Sequence, residues 1–197
     1  MDRSSQTSSG YKLESQLREA YGRIVYTQTA HNKIVHRLLK RNSTIKIGQI
    51  LLSAVTTGSF ITLFVNETTK TATISGGICS LLLLILNSYA KSFELVETAQ
   101  KHRSAADALW KIREEYVTVL TDFEDLDAEQ IREKRDELQD RTSKVYEESP
   151  STDEKGYKAA QKSLKTEEEQ TFSEKEIDLM LTNSIRRNKN INNKEER

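Results

Sequence analysis

Four lysines and one tyrosine near the carboxyl-terminal end of the chain have the spacing of a binding surface. They are Lys155, Tyr157, Lys158, Lys162 and Lys165. Because residues three or four apart share one face of an α-helix, the four ammonium groups would form a positive stripe. Such a stripe can bind a phosphate-rich ligand, and the tyrosine ring can stack on a base. The alternative is a solvated helix face whose charge is balanced by the glutamates that follow it.

Small and polar residues form a second pattern, inside an uncharged part of the chain. Thr73, Gly76, Ser80 and Asn87 fall within about 60° of one another on a helical wheel with about 3.6 residues per turn. In a membrane, such a face can line a water-filled pore. Small and polar residues also occur where membrane helices pack together, so a packing face is the alternative.

The preceding uncharged run supplies a second set of pore candidates. Ser59, Thr62 and Asn66 are the alternative lining residues. Glu67 would stand at the outer mouth of a pore, where a ring of carboxylates could favour cations. Lys91 follows the second run and would stand at the opposite mouth.

Metal-binding and catalytic patterns are not recognisable in the sequence. His31 and His36 are five residues apart, rather than the three or four that place two ligands on one helix face, and His102 is distant from both. The single cysteine, Cys79, excludes an internal disulfide and a cysteine-based zinc site. No glycine-rich phosphate loop, dinucleotide-binding turn or serine nucleophile elbow occurs. We therefore expect no enzyme, no metal site and no cofactor.

Two uncharged runs would have to position the polar stripe. Residues 47–66 and 71–90 contain no charged side chain, and each run is twenty residues long. A helix of that length spans roughly 30 Å, the thickness of the hydrocarbon core of a bilayer. The runs therefore predict a transmembrane hairpin over residues 47–90. A pair of buried helices in a soluble all-α domain is the alternative, but buried soluble helices rarely keep charge off every face for five turns.

The charges beside the two runs predict the orientation of the hairpin. Lysines and arginines precede the first run and follow the second, whereas the connecting turn contains only one glutamate and one lysine. Positive flanks remain in the cytoplasm, so both termini should be cytoplasmic.

Helical periodicity continues on both sides of the hairpin. Residues 11–46 predict a basic amphipathic helix with a net charge of +6, which would be attracted to anionic membrane lipid. Residues 91–121 predict a return helix. In an antiparallel pair centred on the turn, facing residue numbers should sum to about 137, so the two arms would form a stalk.

The remaining segments predict a helical cap and two disordered tails. Residues 122–149 have a net charge of −6, and Ile131, Leu138 and Val145 recur there at intervals of seven, which predicts a stripe that lies on another helix. Ser173 with Glu176 forms the capping box of a last helix that should end in Arg186 and Arg187. We expect residues 122–187 to form a cytoplasmic helical cap, and residues 1–10 and 188–197 to be disordered. The fold class is therefore all-α.

The order of these elements resembles the SLATT family. A long basic helix, two apolar spans joined by a short turn and a long return helix are followed by the segment EKEIDLML at residues 174–181. The likeness covers roughly residues 11–187. It implies a bacterial two-span effector of antiviral systems, often encoded beside a nucleotidyltransferase, another nucleotide-signal synthase or a reverse transcriptase, that disrupts the inner membrane on infection.

Together, the spans and the resemblance predict a gated pore. Two spans cannot enclose water, so we expect a symmetric homo-oligomer such as a tetramer. A nucleotide or short oligonucleotide made by an operon-encoded nucleotidyltransferase would bind the cap and open or close the pore. A non-conducting membrane scaffold and a soluble helical interaction module are the alternatives.

Overall fold

Helices account for all the regular structure in the described part of the chain. The computed structural model describes residues 3–65, 70–182 and 185–187. The helices are α1 (Arg3–Val65), α2 (Lys70–Phe93), α3 (Leu95–Thr121), α4 (Ala128–Glu148), α5 (Glu154–Lys165) and α6 (Glu174–Met180). No strand occurs among these residues, which confirms the predicted all-α class.

Helix α1 joins the amino-terminal arm to the first apolar run without a break. It contains 63 residues, which at 1.5 Å per residue corresponds to roughly 95 Å. The helix already begins at Arg3, whereas the sequence predicted disorder over residues 1–10. No proline interrupts this segment, so the helix of the arm can continue into it. The predicted tail at residues 188–197 lies outside the described residues.

A bend at a single residue separates α2 from α3. Glu94 has φ 40° and ψ 45°, a left-handed conformation. The amide of Thr98 still donates to the carbonyl of Glu94 at 3.0 Å, so helical hydrogen bonding resumes at once. The left-handed conformation costs a non-glycine residue roughly 1–2 kcal/mol. Glu94 is therefore a strained hinge between the second apolar run and the return helix.

The first and return arms pack antiparallel, as predicted. His31 contacts His102, and further along the hairpin Gln49 contacts Asn87. Both pairs agree with the predicted register to within about one helical turn. We call the paired arms, residues 11–46 and 91–121, the stalk.

An apolar core holds α4 against the stalk. Leu17 and Leu109 are fully buried in it, and α4 contributes Ile131 and Leu138. Arg141 of α4 also donates two hydrogen bonds, at 2.5 and 2.7 Å, to the carboxylate of Glu115 on α3. The stripe of apolar residues at intervals of seven on α4 therefore lies on the stalk, as its spacing predicts.

Trp110 does not belong to this core. Half of its surface is exposed on α3. A tryptophan at this position in the sequence could lie in the interior of the stalk or in a contact between subunits. The exposure excludes the first of them.

The chain divides into two compact units, Met1–Ala160 and Gln161–Arg197. In the second unit, Ser173 and Glu176 form the predicted capping box of α6. The sequence predicted a helix that continues to the arginines at 186 and 187, but α6 ends at Met180. Beyond the end of α6, the carboxylate of Asp178 accepts a hydrogen bond from the amide of Arg187 at 3.0 Å.

Candidate functional site

The two uncharged runs present their apolar side chains to the outside of the monomer. Neither apolar window is buried within the structure. Ile50, Leu51, Phe60, Ile78 and Leu84 are all more than half exposed. A soluble monomer rarely exposes so large a continuous apolar surface. These segments, which we call span 1 on α1 and span 2 on α2, have the length and surface of membrane helices.

The threonine hydroxyl groups of span 1 are satisfied within their own helix. Thr56 donates to the carbonyl of Leu52 at 2.8 Å. Thr62 donates to the carbonyl of Gly58 at 2.9 Å. These bonds remove the cost of placing a hydroxyl in lipid, so the threonines are compatible with a membrane span.

Two of the predicted pore-lining residues lie in the contact between the spans. A Cβ atom added to Gly76 would stand 3.1 Å from the Cβ of Ser59. The Oγ atoms of Ser59 and Ser75 are 3.5 Å apart. Small residues allow two membrane helices to approach closely. Gly76 and Ser59 therefore have the positions of packing residues within one subunit.

The other predicted lining residues remain at the surface of the hairpin. Thr73, Ser80 and Asn87 are exposed on α2, and Thr62 is exposed on α1. The side chain of Asn87 also accepts a hydrogen bond from Gln49 at 2.8 Å, which ties the two spans together. Lys91 is exposed near the end of α2. Asn66 and Glu67 lie outside the described residues.

The lysines of the stripe are exposed, as the sequence predicts, but two of them pair with glutamates of the same chain. All four lysines are exposed on α5. Lys158 pairs with Glu154 at 2.5 Å, and Lys162 pairs with Glu167 at 2.9 Å. The hydrogen bond that Lys162 donates to the carboxylate of Glu167 raises the pKa of Lys162. Two of the four ammonium groups thus already have carboxylate partners.

Tyr157 faces another surface than the lysines of α5. Its ring stacks on that of Tyr26 on α1, with the centroids 5.9 Å apart and an angle of 27° between the planes. Both rings line a cavity of about 690 Å³. We call this cavity the tyrosine cleft; its lining also includes Arg23, Tyr146 and His31. Sequence reasoning missed it because the rings come from distant parts of the chain.

A buried histidine pair joins α1 to α3 at the base of the tyrosine cleft. The Nδ1 atoms of His31 and His102 are 2.8 Å apart, so one ring must donate the proton and the other accept it. His31 is 2% exposed and His102 is 5% exposed. The antiparallel register brings these two residues together from different helices, which spacing along one helix does not reveal.

Burial keeps this pair neutral. Burial and, to a smaller extent, the neighbouring His102 together lower the pKa of His31 to about 4. Burial also lowers the pKa of His102, although the carboxylate of Asp153 partly opposes the change. Charging either ring therefore opposes the packing of the stalk.

Asp153 fixes the start of α5 on α1. Arg37 donates to both oxygens of its carboxylate, at 2.5 and 3.2 Å, and the amide of Gly156 donates to it at 2.7 Å. Partial burial alone would raise the pKa of Asp153, but these hydrogen bonds outweigh it and lower the pKa. Gly156 approaches α1 so closely that an added Cβ would stand 2.7 Å from Cγ1 of Ile34. The wall of the tyrosine cleft is thus held at two adjacent points.

These features define the class of the protein as a two-span membrane protein with a helical body outside the spans. The comparison with known families identifies the family within this class. Residues 13–176 match the family described as SMODS and SLOG-associating 2TM effector domain family 4, and the chain belongs to this family. The resemblance to SLATT proteins is confirmed, and the chain is a two-span membrane effector of antiviral systems. No match was found among curated proteins or among solved structures.

Proposed function

We propose that the protein forms a homo-oligomeric pore in the bacterial inner membrane, which a nucleotide or short oligonucleotide opens or closes. The observation that carries this proposal is the exposed apolar surface of both spans, each of which continues into an arm of the stalk. A ligand-dependent movement of the stalk would therefore be transmitted to the membrane. The proposal assigns no catalytic reaction to the chain.

A pore requires several copies of the hairpin. Two helices cannot enclose water, and a closed cyclic arrangement lets each subunit contribute the same face. Thr73, Ser80 and Asn87 are spaced by sevens and are exposed on span 2, so they are the preferred lining residues. Lys91 would stand at the inner mouth. Gly76 and Ser59 would instead hold the two spans of each subunit together.

The orientation in the membrane is inferred from the flanking charges, and the partner is inferred from the family description. The basic flanks of both spans favour cytoplasmic termini, with α4, α5 and α6 forming a cytoplasmic cap. The family description names association with SMODS. We infer that a nucleotidyltransferase-type synthase encoded nearby produces the ligand.

Glu94 offers the simplest gating movement. It is a single strained residue between span 2 and the stalk. A ligand changes the population of closed and open states only by binding one of them more tightly. Straightening or deepening the bend at Glu94 would move span 2 without unfolding either helix.

Leakage from liposomes tests the pore. Liposomes containing the purified protein should release an encapsulated dye when a nucleotide extract from cells expressing the neighbouring synthase is added. Liposomes that contain inserted protein and remain sealed with the extract would contradict the proposal and favour a non-conducting scaffold.

Substitution of Asn87 tests the lining. Asn87→Leu should reduce single-channel conductance because it replaces an exposed amide with an apolar side chain. Gln49→Leu is the matched control, since it removes the same hydrogen bond without changing the face of span 2. Equal currents in Asn87→Leu and wild type would exclude Asn87 from the pore.

A further inference from the structure

We propose that the tyrosine cleft, rather than the lysine stripe, binds the gating ligand, and that this ligand combines a planar aromatic ring with a phosphate, as a nucleotide does. The inference rests on the proposed function in one respect, because it names the place where the gating ligand acts. The cleft lies wholly within the unit Met1–Ala160. Its volume of about 690 Å³ falls within the range typical of small-molecule sites, roughly 300–1,000 Å³.

The aromatic side chains of the tyrosine cleft provide the first half of this recognition. Tyr26 and Tyr157 form a stacked pair from α1 and α5. Tyr146 adds a third ring from the end of α4, and its hydroxyl lies 3.4 Å from Oγ1 of Thr27. Tyr146 and Tyr157 are each about half exposed, so their ring surfaces are accessible to a ligand. Stacking on such a ring contributes about 1–3 kcal/mol per base.

Arg23 provides the second half of this recognition. Arg23 lines the tyrosine cleft, and its guanidinium pairs with Glu19 at 2.5 Å, one turn earlier on the same helix. Both side chains of this pair are more than half exposed, and an exposed pair of this kind contributes only about 0.3–0.5 kcal/mol. Arg23 can therefore exchange Glu19 for a phosphate at little cost. Hydroxyl groups of Thr27 and of the connection between α4 and α5 add hydrogen-bonding partners for a sugar or phosphate.

The tyrosine cleft is held in shape before a ligand arrives. The Arg37–Asp153 ion pair and the close approach of Gly156 to Ile34 fix the start of α5 against α1. Tyr157 follows Gly156 directly, so its ring position is set by this contact. A preformed site spends less binding energy on ordering its own side chains.

The base of the tyrosine cleft connects it to the rest of the hairpin. His31 lines the cleft and also contacts His102 of α3. Helix α3 continues through Glu94 into span 2. A ligand that displaces His31 would therefore disturb the contact between the two arms of the stalk. The lysine stripe has no comparable connection among the contacts seen for Lys158 and Lys162, which pair with neighbouring glutamates.

Calorimetric titration of the full chain in nanodiscs tests this assignment. The probes are adenosine, inorganic phosphate, AMP and cyclic di-AMP, which separate the contributions of the ring and the phosphate. At least one of the two nucleotides should bind, and it should bind at least tenfold more tightly than adenosine or phosphate alone. Binding of phosphate as tight as that of both nucleotides would overturn the assignment, as would failure of every probe to bind.

Substitutions then locate the bound nucleotide. Tyr157→Ala and Arg23→Gln should each weaken binding about tenfold or more, whereas Tyr157→Phe keeps the ring and should bind as wild type does. The matched control is the double variant Lys158→Ala, Lys162→Ala, which should leave binding unchanged. Circular dichroism checks that each variant remains helical. Loss of binding in the lysine variant, together with full binding in Tyr157→Ala, would contradict the assignment of the ligand to the tyrosine cleft and support the lysine stripe.

Failure of this inference is distinguishable from failure of the proposed pore. Nucleotide binding that depends on Tyr157 and Arg23, in liposomes that stay sealed, would support the tyrosine cleft and contradict the pore. If Tyr157→Ala and Arg23→Gln leave nucleotide-dependent leakage unchanged, the pore is supported and the assignment of the ligand to the tyrosine cleft is contradicted.

Discussion

Acidification should loosen the stalk at the His31–His102 pair. Burial and the neighbouring ring lower the pKa of His31 from 6.5 to about 4 in the folded protein. The unfolded chain therefore binds a proton more readily than the folded chain at intermediate pH. The stabilising contribution of neutral His31 is complete above about pH 6.5 and is lost as the pH falls towards 4.

The size of this effect follows from the pKa values of the two states. Between pH 7.5 and pH 5, a group with pKa 6.5 unfolded and about 4 folded loses about 2 kcal/mol of stabilisation. The lowered pKa of His102 acts in the same direction, although Asp153 partly opposes it and Arg37 adds to it. The free energy of unfolding in detergent micelles should therefore fall more in wild type than in a variant without His31.

Two matched variants isolate the contribution of the pair. His31→Gln should be less stable at pH 7.5 but should lose about 2 kcal/mol less than wild type on acidification to pH 5. His36→Gln changes an exposed histidine on the same helix and should retain the acid sensitivity of wild type. Urea unfolding followed by circular dichroism measures all three proteins at both pH values. The reasoning is refuted if wild type and His31→Gln lose the same free energy.

Three further predictions concern stability and are checked by the same unfolding measurement. Gly156→Ala should destabilise the protein, because the new Cβ would stand 2.7 Å from Ile34. Gly22→Ala, whose new Cβ meets nothing within 4 Å, should instead stabilise α1 by about 0.5–1 kcal/mol. If Gly22→Ala were the less stable of the two variants, the close contact at Gly156 would be contradicted. Glu94→Val should destabilise the protein by at least about 1 kcal/mol relative to Glu94→Gly, since only glycine accepts a positive φ without strain; equal stability would show that the bend is not strained. Leu138→Ala should lower the free energy of unfolding by about 2–5 kcal/mol, because Leu138 is 1% exposed in the core. A loss below about 1 kcal/mol would show that α4 does not pack against the stalk.

Features that depend on periodicity or on local chemistry could be predicted from the sequence. The absence of charge over two runs of twenty residues predicted the spans, and the positions of Ile131 and Leu138 predicted the side of α4 that packs. The capping box of Ser173 and Glu176 involves only two residues three positions apart, so it could also be predicted from the sequence. In each case the relevant residues are neighbours on one helix.

The candidate site could not be predicted in the same way because it depends on contacts between helices. Tyr157 was grouped with the lysines around it, yet its ring stacks on Tyr26, which is 131 positions earlier. The hydrogen bond from the amide of Arg187 to the carboxylate of Asp178 likewise joins residues nine positions apart. Helical spacing specifies which residues share a face, but it does not specify what that face meets.

For the proposed pore, the contacts within the hairpin favour bending over sliding as the gating movement. The hydrogen bonds between its antiparallel helices include the neutral pairs His31–His102 and Gln49–Asn87. Sliding one helix by a turn would break both, and the buried histidine pair alone would cost about 1–3 kcal/mol for each group left without a partner. Straightening the bend at Glu94 would release strain of roughly 1–2 kcal/mol. It does not require the His31–His102 pair to break, because both histidines lie in the stalk, on one side of the bend. A single ligand contributes free energy of a few kcal/mol between two states, so we infer that the hinge at Glu94 responds first and the stalk register is kept.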